Sequence, residues 1–449
     1  MKKPNKKILL ISLGCAKNLV DSENMLGILD KAGYRVVSDV KEARVAIINT
    51  CGFVQQAVEE SIDTILEMAA HRREGTLERL IVTGCFVQRY GYKLRREIHE
   101  VDAWLGTGEF RRILEILEQG SPGHAPMPAP MLIGRPTYLA DHTVPRVMTT
   151  PPYTAYVKIA EGCSHTCSYC TIPSLRGPFR SRTSESLVSE VKGMAEAGVK
   201  EINLVAQDTT MYGTDLEDGV RLEDLLERLL AVEGIAWIRI LYSHPLRISD
   251  RLLDLIAAEE RICPYLDVPL QHVNREILSR MGRAFGREGP RRLIERIRAC
   301  PRPISIRTTF MVGFPGETDR RFRELYDFVE WAEFDHLGVF IYSPEKGTRA
   351  ALLRQGVKGD VAQERRDAVM GLQSKIAGKK NQRLKGKTLP VLVEGFSPET
   401  DLLLRGRTAF MAPDVDGQVL INRGQAVVGA IQPVTIREAH AYDLIGEIA

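Results

Sequence analysis

The chain has 449 residues, enough for about three domains at roughly 150 residues each, which excludes a small disulfide-stapled module. Hydrophobic residues make up 44% and charged residues 27%, and 61 basic against 58 acidic side chains leave a net charge of only +3. That balance argues against a general nucleic-acid coat or an acidic solvating tail, and no run approaches the ~20 apolar residues of a membrane span.

The opening MKKPNKK-ILLISLG has the outline of a secretion signal but leads to Gly14-Cys15-Ala16-Lys17-Asn18, with no small-residue cleavage site. It reads as a first strand, and the chain is expected to be cytoplasmic with no membrane association. Short apolar runs at 7–13, 45–49 and 79–83 predict buried parallel strands, separated by amphipathic helices over 22–31 and 55–70. Residues 6–120 therefore predict an α/β parallel-sheet domain. Residues 121–148 are rich in Pro and Gly and read as a linker, with a short strand near 131–133.

Six strand patterns follow, at 155–160, 201–206, 237–242, 265–270, 304–312 and 336–342. Helical patterns lie between them at 184–197, 221–232, 249–259, 290–299 and 318–332. This predicts a partial (β/α)6 TIM-like barrel over 149–379. A polar helix near 360–386 ends in the basic run Lys375, Lys379, Lys380, Arg383, Lys385 and Lys387. The texture over 382–449 is all-β and predicts a small antiparallel barrel. The fold class is thus multidomain α/β.

Eight cysteines occur. Cys163, Cys167 and Cys170 form C-x3-C-x2-C just after the first barrel strand. Three thiolates on one loop can wrap a metal centre, and a reducing compartment disfavours disulfides. A zinc ion with His165 or another side chain as fourth ligand is one reading. An iron–sulfur cluster is favoured, because the paired knuckles usual for zinc are missing nearby and three ligands for four irons leave one iron open.

Cys15, Cys51 and Cys85 each follow a predicted parallel strand, at the sheet edge where open α/β sheets bind ligands. Each also lies beside a glycine (Gly14, Gly52, Gly84). Buried structural thiols remain an alternative, but three equivalent positions favour a second cluster. Cys263 and Cys300 have no such partners and read as structural.

The loop motif after the first strand of a β/α barrel resembles the radical S-adenosylmethionine (SAM) superfamily. The full set LGCAKN (13–18), DSE (21–23), NTCG (49–52), TGC (83–85), GCSHTCSYCTIPSLRGPFRSR (162–182), AQD (206–208), GFPGET (313–318) and YSPEKGT (342–348) resembles the methylthiotransferase family over nearly the whole chain. That family joins an N-terminal cysteine domain, a radical SAM core and a C-terminal TRAM barrel.

The resemblance implies two 4Fe-4S clusters and SAM as cofactors. Cys163, Cys167 and Cys170 would hold the SAM cluster and serve catalysis, and Cys15, Cys51 and Cys85 would hold an auxiliary cluster carrying the inserted sulfur. One SAM would give the methyl group and another the 5′-deoxyadenosyl radical. Tyr169, Gly313, Gly316 and Glu317 are the expected SAM contacts. Gln207 with Asp208, Ser243 with His244, and Gln271 with His272 fall on one barrel rim. Arg176, Arg180 and Arg182 read either as ligands for substrate or SAM carboxylate or as a solvated basic loop.

One branch of the family modifies adenosine in transfer RNA; the other modifies the β-carbon of an aspartate in ribosomal protein S12. From Thr388 to Ala449, four arginines stand against eight carboxylates, a net of −4. RNA grip usually needs positive charge, so the acidic barrel favours a basic protein partner. LGCAKNLVDSE (13–23), INTCGFVQQAVEESIDTILE (48–67) and PYLDVPLQHVNREILSRMGR (264–283) also resemble the S12 branch. Methylthiolation of S12, free or in the small subunit, is therefore the expected activity. RNA contact through the basic helix end is secondary, and the sulfur and electron donors are unidentified. The competing expectations are transfer-RNA methylthiolation and a non-catalytic, cluster-bearing ribosome-assembly factor.

Overall fold

The computed structural model describes residues 6–119, 129–286 and 289–449. The first stretch of the Pro/Gly-rich linker, 120–128, lies outside them.

The N-terminal domain runs β1 (Lys7–Ser12), α1 (Ala16–Lys31), β2 (Arg35–Val36), β3 (Val45–Thr50), α2 (Gln55–Arg73), β4 (Arg79–Gly84), α3 (Cys85–Glu97), β5 (Ala103–Leu105), α4 (Ile113–Glu118) and β6 (Met131–Leu132). All strands pair in parallel, in the order β2-β1-β3-β4-β5-β6. β3 reads VAIINT and is buried along its length, as expected for a strand covered by helices on both faces. The strand order reverses between β1 and β3, and this switch point at the carboxyl edge is where such sheets open a crevice. Met131 and Leu132, from the stretch read as linker, close the far edge of this sheet.

The middle domain contains β7 (Thr154–Lys158), β8 (Ala160–Glu161), α5 (Ile172–Arg176), β9 (Arg180–Ser181), α6 (Ser184–Glu196), β10 (Glu201–Val205), α7 (Leu222–Leu230) and β11 (Trp237–Ile240). It continues through α8 (Asp250–Ala258), β12 (Ile262–Asp267), α9 (Arg275–Arg280), α10 (Gly289–Arg298), β13 (Ser305–Val312), α11 (Asp319–Ala332), β14 (His336–Ile341) and α12 (Gly359–Gln382). Six of its strands pair in parallel in sequence order, β7-β10-β11-β12-β13-β14, as an open partial barrel. The outer helices are anchored by regularly spaced apolar residues such as Leu222, Leu225, Leu226 and Leu229 of α7.

The C-terminal domain is a closed barrel of β15 (Thr388–Ser397), β16 (Thr400–Thr408), β17 (Val419–Arg423), β18 (Ile431–Ala439) and β19 (Leu444–Ile448). It differs from a purely antiparallel barrel at one seam, β17–β19, which is parallel. A ring with an odd number of strands cannot alternate direction all the way round.

Each domain has its own core, and one further apolar cluster joins all three. Val20 of α1 and Leu392 and Ala412 of the C-terminal domain pack with Tyr153, Tyr156, Trp237, Leu241 and Tyr265 of the partial barrel. The loop between β16 and β17 enters the barrel interior. There Asp414 accepts from the Tyr156 hydroxyl at 3.2 Å, and Asp416 accepts from Tyr265 at 2.7 Å and from Arg307. Arg407 pairs with buried Glu201 at 2.7 Å. No helix among the described residues is long and apolar enough to cross a membrane.

Candidate functional site

Three turns at the carboxyl edge of the N-terminal sheet bring Cys15, Cys51 and Cys85 together. Cys15 is the N-cap of α1, Cys51 follows β3, and Cys85 opens α3. Close approach requires the adjacent glycines. Gly14 and Gly84 sit at φ +110° and +103°, and a Cβ on Gly14 would lie 3.0 Å from the Cys51 Cβ. A Cβ on Gly52 would lie 2.7 Å from the Phe86 backbone, so the Cys51 and Cys85 turns touch.

Asn18 stitches the set. Its amide donates to the Leu13 and Thr50 carbonyls, and its Oδ1 lies 3.8 Å from the Cys85 sulfur. Burial pushes the Cys51 and Cys85 thiols up, Cys85 to about 11. Burial acts the same way on Cys15, but Lys17, Arg176 and the Asn18 and Lys17 backbone N–H groups outweigh it and hold that thiol below its ordinary value.

Cys163, Cys167 and Cys170 lie on the loop between β8 and α5. The Ile172 N–H donates to Cys170 at 3.4 Å, the Arg283 guanidinium lies 3.7 Å from Cys167, and the His165 N–H points at Cys163. Burial raises Cys163 to about 11 and Cys170 to about 12. All eight cysteines are free thiols. Both trios are ringed mainly by N–H donors and cations, an environment that suits metal-bound thiolates and so fits the two implied clusters. The buried hydroxyls of Ser168 and Thr171, beside Cys167 and Cys170, have no protein partner.

The seam between these loops is charged and its side chains are buried. Lys158 contacts Asp21 and lies 2.7 Å from Glu161, while Arg176 lies 3.0 Å from each of the same two carboxylates. The other arm of Arg176 donates to Asn18 Oδ1, so α5 reaches the N-terminal cysteines. Arg146 bridges Glu23 and Glu190 at 2.6 and 2.7 Å, and Arg182 also pairs with Glu190. The DSE motif is therefore a domain clamp. Arg176 and Arg182 are buried ion-pair partners rather than solvated side chains, and Arg180 donates to the Pro178 and Arg176 carbonyls. Two further ties cross the seam: Thr107 donates to the Leu175 carbonyl at 2.6 Å, and Arg89 joins the Gly52 carbonyl to Glu345.

On the barrel rim, His165 Nε2 lies 2.6 Å from Asp208, whose other oxygen accepts from Thr210. His165, the alternative zinc ligand, is thus committed to Asp208, and His244 stacks on its ring at 4.3 Å. Burial, with Arg283 and His165 nearby, depresses His244 to about 3. His272 is drawn away from the rim: its Nδ1 accepts the Val273 and Asn274 N–H groups. Tyr242 and Gln271, at successive strand ends, have φ of +61° and +68°, strain of the kind that concentrates at functional rims.

Tyr169 packs against a small core of Ile277, Met281, Phe314 and Ala350. Glu317 folds back to accept from the Gly313 and Phe314 N–H groups, with Arg365 3.7 Å away, and burial pushes its carboxyl up to about 7. The Cβ positions of Gly313 and Gly316 face Ala362 and Arg280. These glycines admit α12 and an arginine. Lys17 and Arg283, both buried beside the cysteines, were missed as site residues, since nothing in their local sequence marks a buried cation.

Family models match in chain order: the "Uncharacterized protein family UPF0004" over residues 7–106, the radical SAM superfamily over 157–329 and the TRAM domain over 386–449. A "Ribosomal protein uS12 methylthiotransferase RimO" from Syntrophotalea carbinolica is 49% identical, covering 99% of this chain and 97% of its own. One of the same name from Geobacter sulfurreducens is 48% identical over the full length of both. Among solved structures, the radical SAM methyltransferase TsrM from Kitasatospora setae superposes with a TM-score of 0.55 at 17% identity, covering 74% of this chain and 72% of that one. That likeness is one of fold.

Proposed function

We infer the function from one premise: the chain belongs to the ribosomal protein uS12 methylthiotransferase family, whose members match it end to end. It is a radical SAM methylthiotransferase that installs a methylthio group on the β-carbon of an aspartate of uS12. One SAM serves as methyl donor and a second as radical source. The observation that carries this reading is the junction of the two trios: α5, which begins two residues after Cys170, ends in Arg176, whose guanidinium bonds Asn18 beside Cys85.

Cys163, Cys167 and Cys170 would hold one 4Fe-4S cluster, leaving one iron without a protein ligand, and Cys15, Cys51 and Cys85 would hold the second. When bound, the clusters supply the electron for SAM cleavage and the sulfur for insertion. The chain binds, orients and seals. The Lys158–Asp21–Arg176–Glu161 quartet fixes the two domains in register. Asp208 fixes the His165 ring on the loop that carries Cys163, and His244 stacks on that ring. Tyr169 and the turn carrying Gly313, Gly316 and Glu317 frame the SAM side. Glu317 sets the turn's shape through the two N–H groups it accepts.

The acidic count of the C-terminal barrel is partly internal, since Asp414, Asp416 and Glu394 face Tyr156, Arg307 and Arg407. Glu399, Asp401 and Glu438 stay exposed and suit a basic protein partner. Exposed Lys375, Arg383, Lys385 and Lys387 support a secondary RNA contact when uS12 sits in the small subunit.

The test is reconstituted chain incubated with reductant, SAM and a sulfur source, offered a uS12 peptide and, separately, transfer RNA. Methylthiolated peptide in the mass spectrum is the expected product. Methylthio-adenosine without modified peptide would transfer the chain to the RNA branch, and absence of both products and of 5′-deoxyadenosine would favour the assembly-factor reading.

A further inference from the structure

The buried lysines and arginines fall into two classes. Lys158, Arg176, Arg182, Arg239, Arg365 and Arg407 each pair with a carboxylate. Among the described residues, Lys17 and Arg283 do not, although they are only 4% and 9% exposed. An unpaired charge taken out of water is costly enough that its retention calls for a negative partner.

Each stands beside a different cysteine trio. Lys17 is two residues past Cys15, with its ammonium 3.3 Å from the centre of the Tyr242 ring. Asp267, near enough for Lys17 to act on its carboxyl without forming an ion pair, accepts the Tyr242 backbone N–H at 3.1 Å and lies 3.9 Å from Arg307. Arg283 places Nη1 3.7 Å from the Cys167 sulfur and donates through Nη2 to the Pro269 carbonyl at 2.9 Å, while its Nε has no protein partner. Asp208, which meets that loop at His165, is spent on His165 and Thr210. Arg176 also acts on the N-terminal thiols, but the quartet around it sets two cations against two carboxylates and is neutral as a unit, so Lys17 supplies the net positive charge.

We propose that Lys17 and Arg283 are dedicated counter-charges, Lys17 for the auxiliary cluster and Arg283 for the SAM cluster, each raising the reduction potential of its own cluster alone. The inference rests on the two-cluster reading above. An oxidised 4Fe-4S core bound by three thiolates carries one net negative charge, which a single cation balances. Reduction adds another negative charge, and a fixed cation close to the thiolates favours that state. Both are positioning residues: they act on the clusters through their charge and take no part in bond making.

The experiment uses the full chain reconstituted with iron and sulfide, with iron counted first. A potentiometric titration followed by electron paramagnetic resonance then reads the parent, Lys17→Met, Lys17→Arg, Arg283→Met and Arg283→Lys. Added SAM separates the signals, because it perturbs only the cluster it binds. Lys17→Met should shift the SAM-insensitive midpoint to more negative potential and leave the other in place. Arg283→Met should do the reverse, and both charge-conserving variants should stay near the parent.

If a neutral variant sheds iron, loss of the matching cluster alone, rescued by the charge-conserving variant, supports the pairing; loss of both clusters overturns it. Unmoved midpoints at full iron content, equal shifts in both clusters, or charge-conserving variants that shift as far as the neutral ones also overturn it. So would unmoved midpoints with a raised KM for the uS12 peptide, which would give Lys17 to the substrate. A parent chain holding one cluster defeats the two-cluster reading before any variant is compared.

Discussion

Cys163, Cys167 and Cys170 lie within eight residues of one loop, whereas Cys15, Cys51 and Cys85 come from three strand ends spread over seventy residues. The loop trio carries its geometry in its own turns and needs the barrel mainly as a platform. The strand-end trio exists only when β1, β3 and β4 are in register and α1 is held against the barrel by Asp21 and Glu23. The same three-thiol arrangement is thus local in one domain and a property of the tertiary fold in the other. The second should be the first to fail when the seam between domains is disturbed.

The largest effects should come from removing a thiol. Alanine at Cys167 is expected to remove about four irons and abolish 5′-deoxyadenosine formation. At Cys85 the same iron loss should leave SAM cleavage in place, and iron analysis with chromatography of the nucleoside separates the two outcomes. A Cys85 variant unable to cleave SAM would erase the contrast.

Asp21→Ala leaves Lys158 and Arg176 sharing Glu161 alone, and breaking such a buried set costs about 3–5 kcal/mol, read from urea unfolding. In the iron-free chain, Cys51 and Cys85 should then become open to alkylation before Cys163 does.

A pH effect comes next, from the barrel side. Glu317 holds its proton up to about 7 in the folded chain, against an ordinary value of 4.5. Its contribution is complete below pH 4.5 and is lost as pH rises through 7. Glu317→Gln should flatten that fall, by about 1–3 kcal/mol between pH 4.5 and 7.5, in urea midpoints compared with the parent. The smallest effect is expected of Thr107→Val, which deletes one seam hydrogen bond to Leu175 and should cost about 1 kcal/mol.

The loop trio was legible because its spacing is itself the signal, and the strand-end trio because three thiols at equivalent strand ends follow from sheet topology. The helix α1 starts at Ala16, ahead of the predicted 22, because Lys17, Asn18 and Asp21 are polar residues buried by another domain and do not read as an apolar face. For the same reason Arg176 could be read as solvated or ligand-binding, since Asp21, which neutralises it, belongs to a distant element. Glu190, which neutralises Arg182, lies nearby on α6, but a pairing of that spacing between a strand end and the next helix follows no simple sequence pattern. The acidic count of the tail was correct as arithmetic, but Asp414 and Asp416 turn inward, and net charge carries no direction.

The loop that plugs the barrel's interior bears on how such a chain can be recombined. Residues 409–416 meet Tyr156, Arg239, Tyr265 and Arg307 inside the middle domain, where Val20 of the first domain also ends. A chimera spliced in the turn before Thr388 would import a foreign stopper into a bore cut for this one. Grafts should keep the whole chain's registry only if Asp414, Asp416 and Arg407 travel with Tyr156, Tyr265, Arg307 and Glu201, so the tail is inherited with the middle domain as one block and not as a cassette.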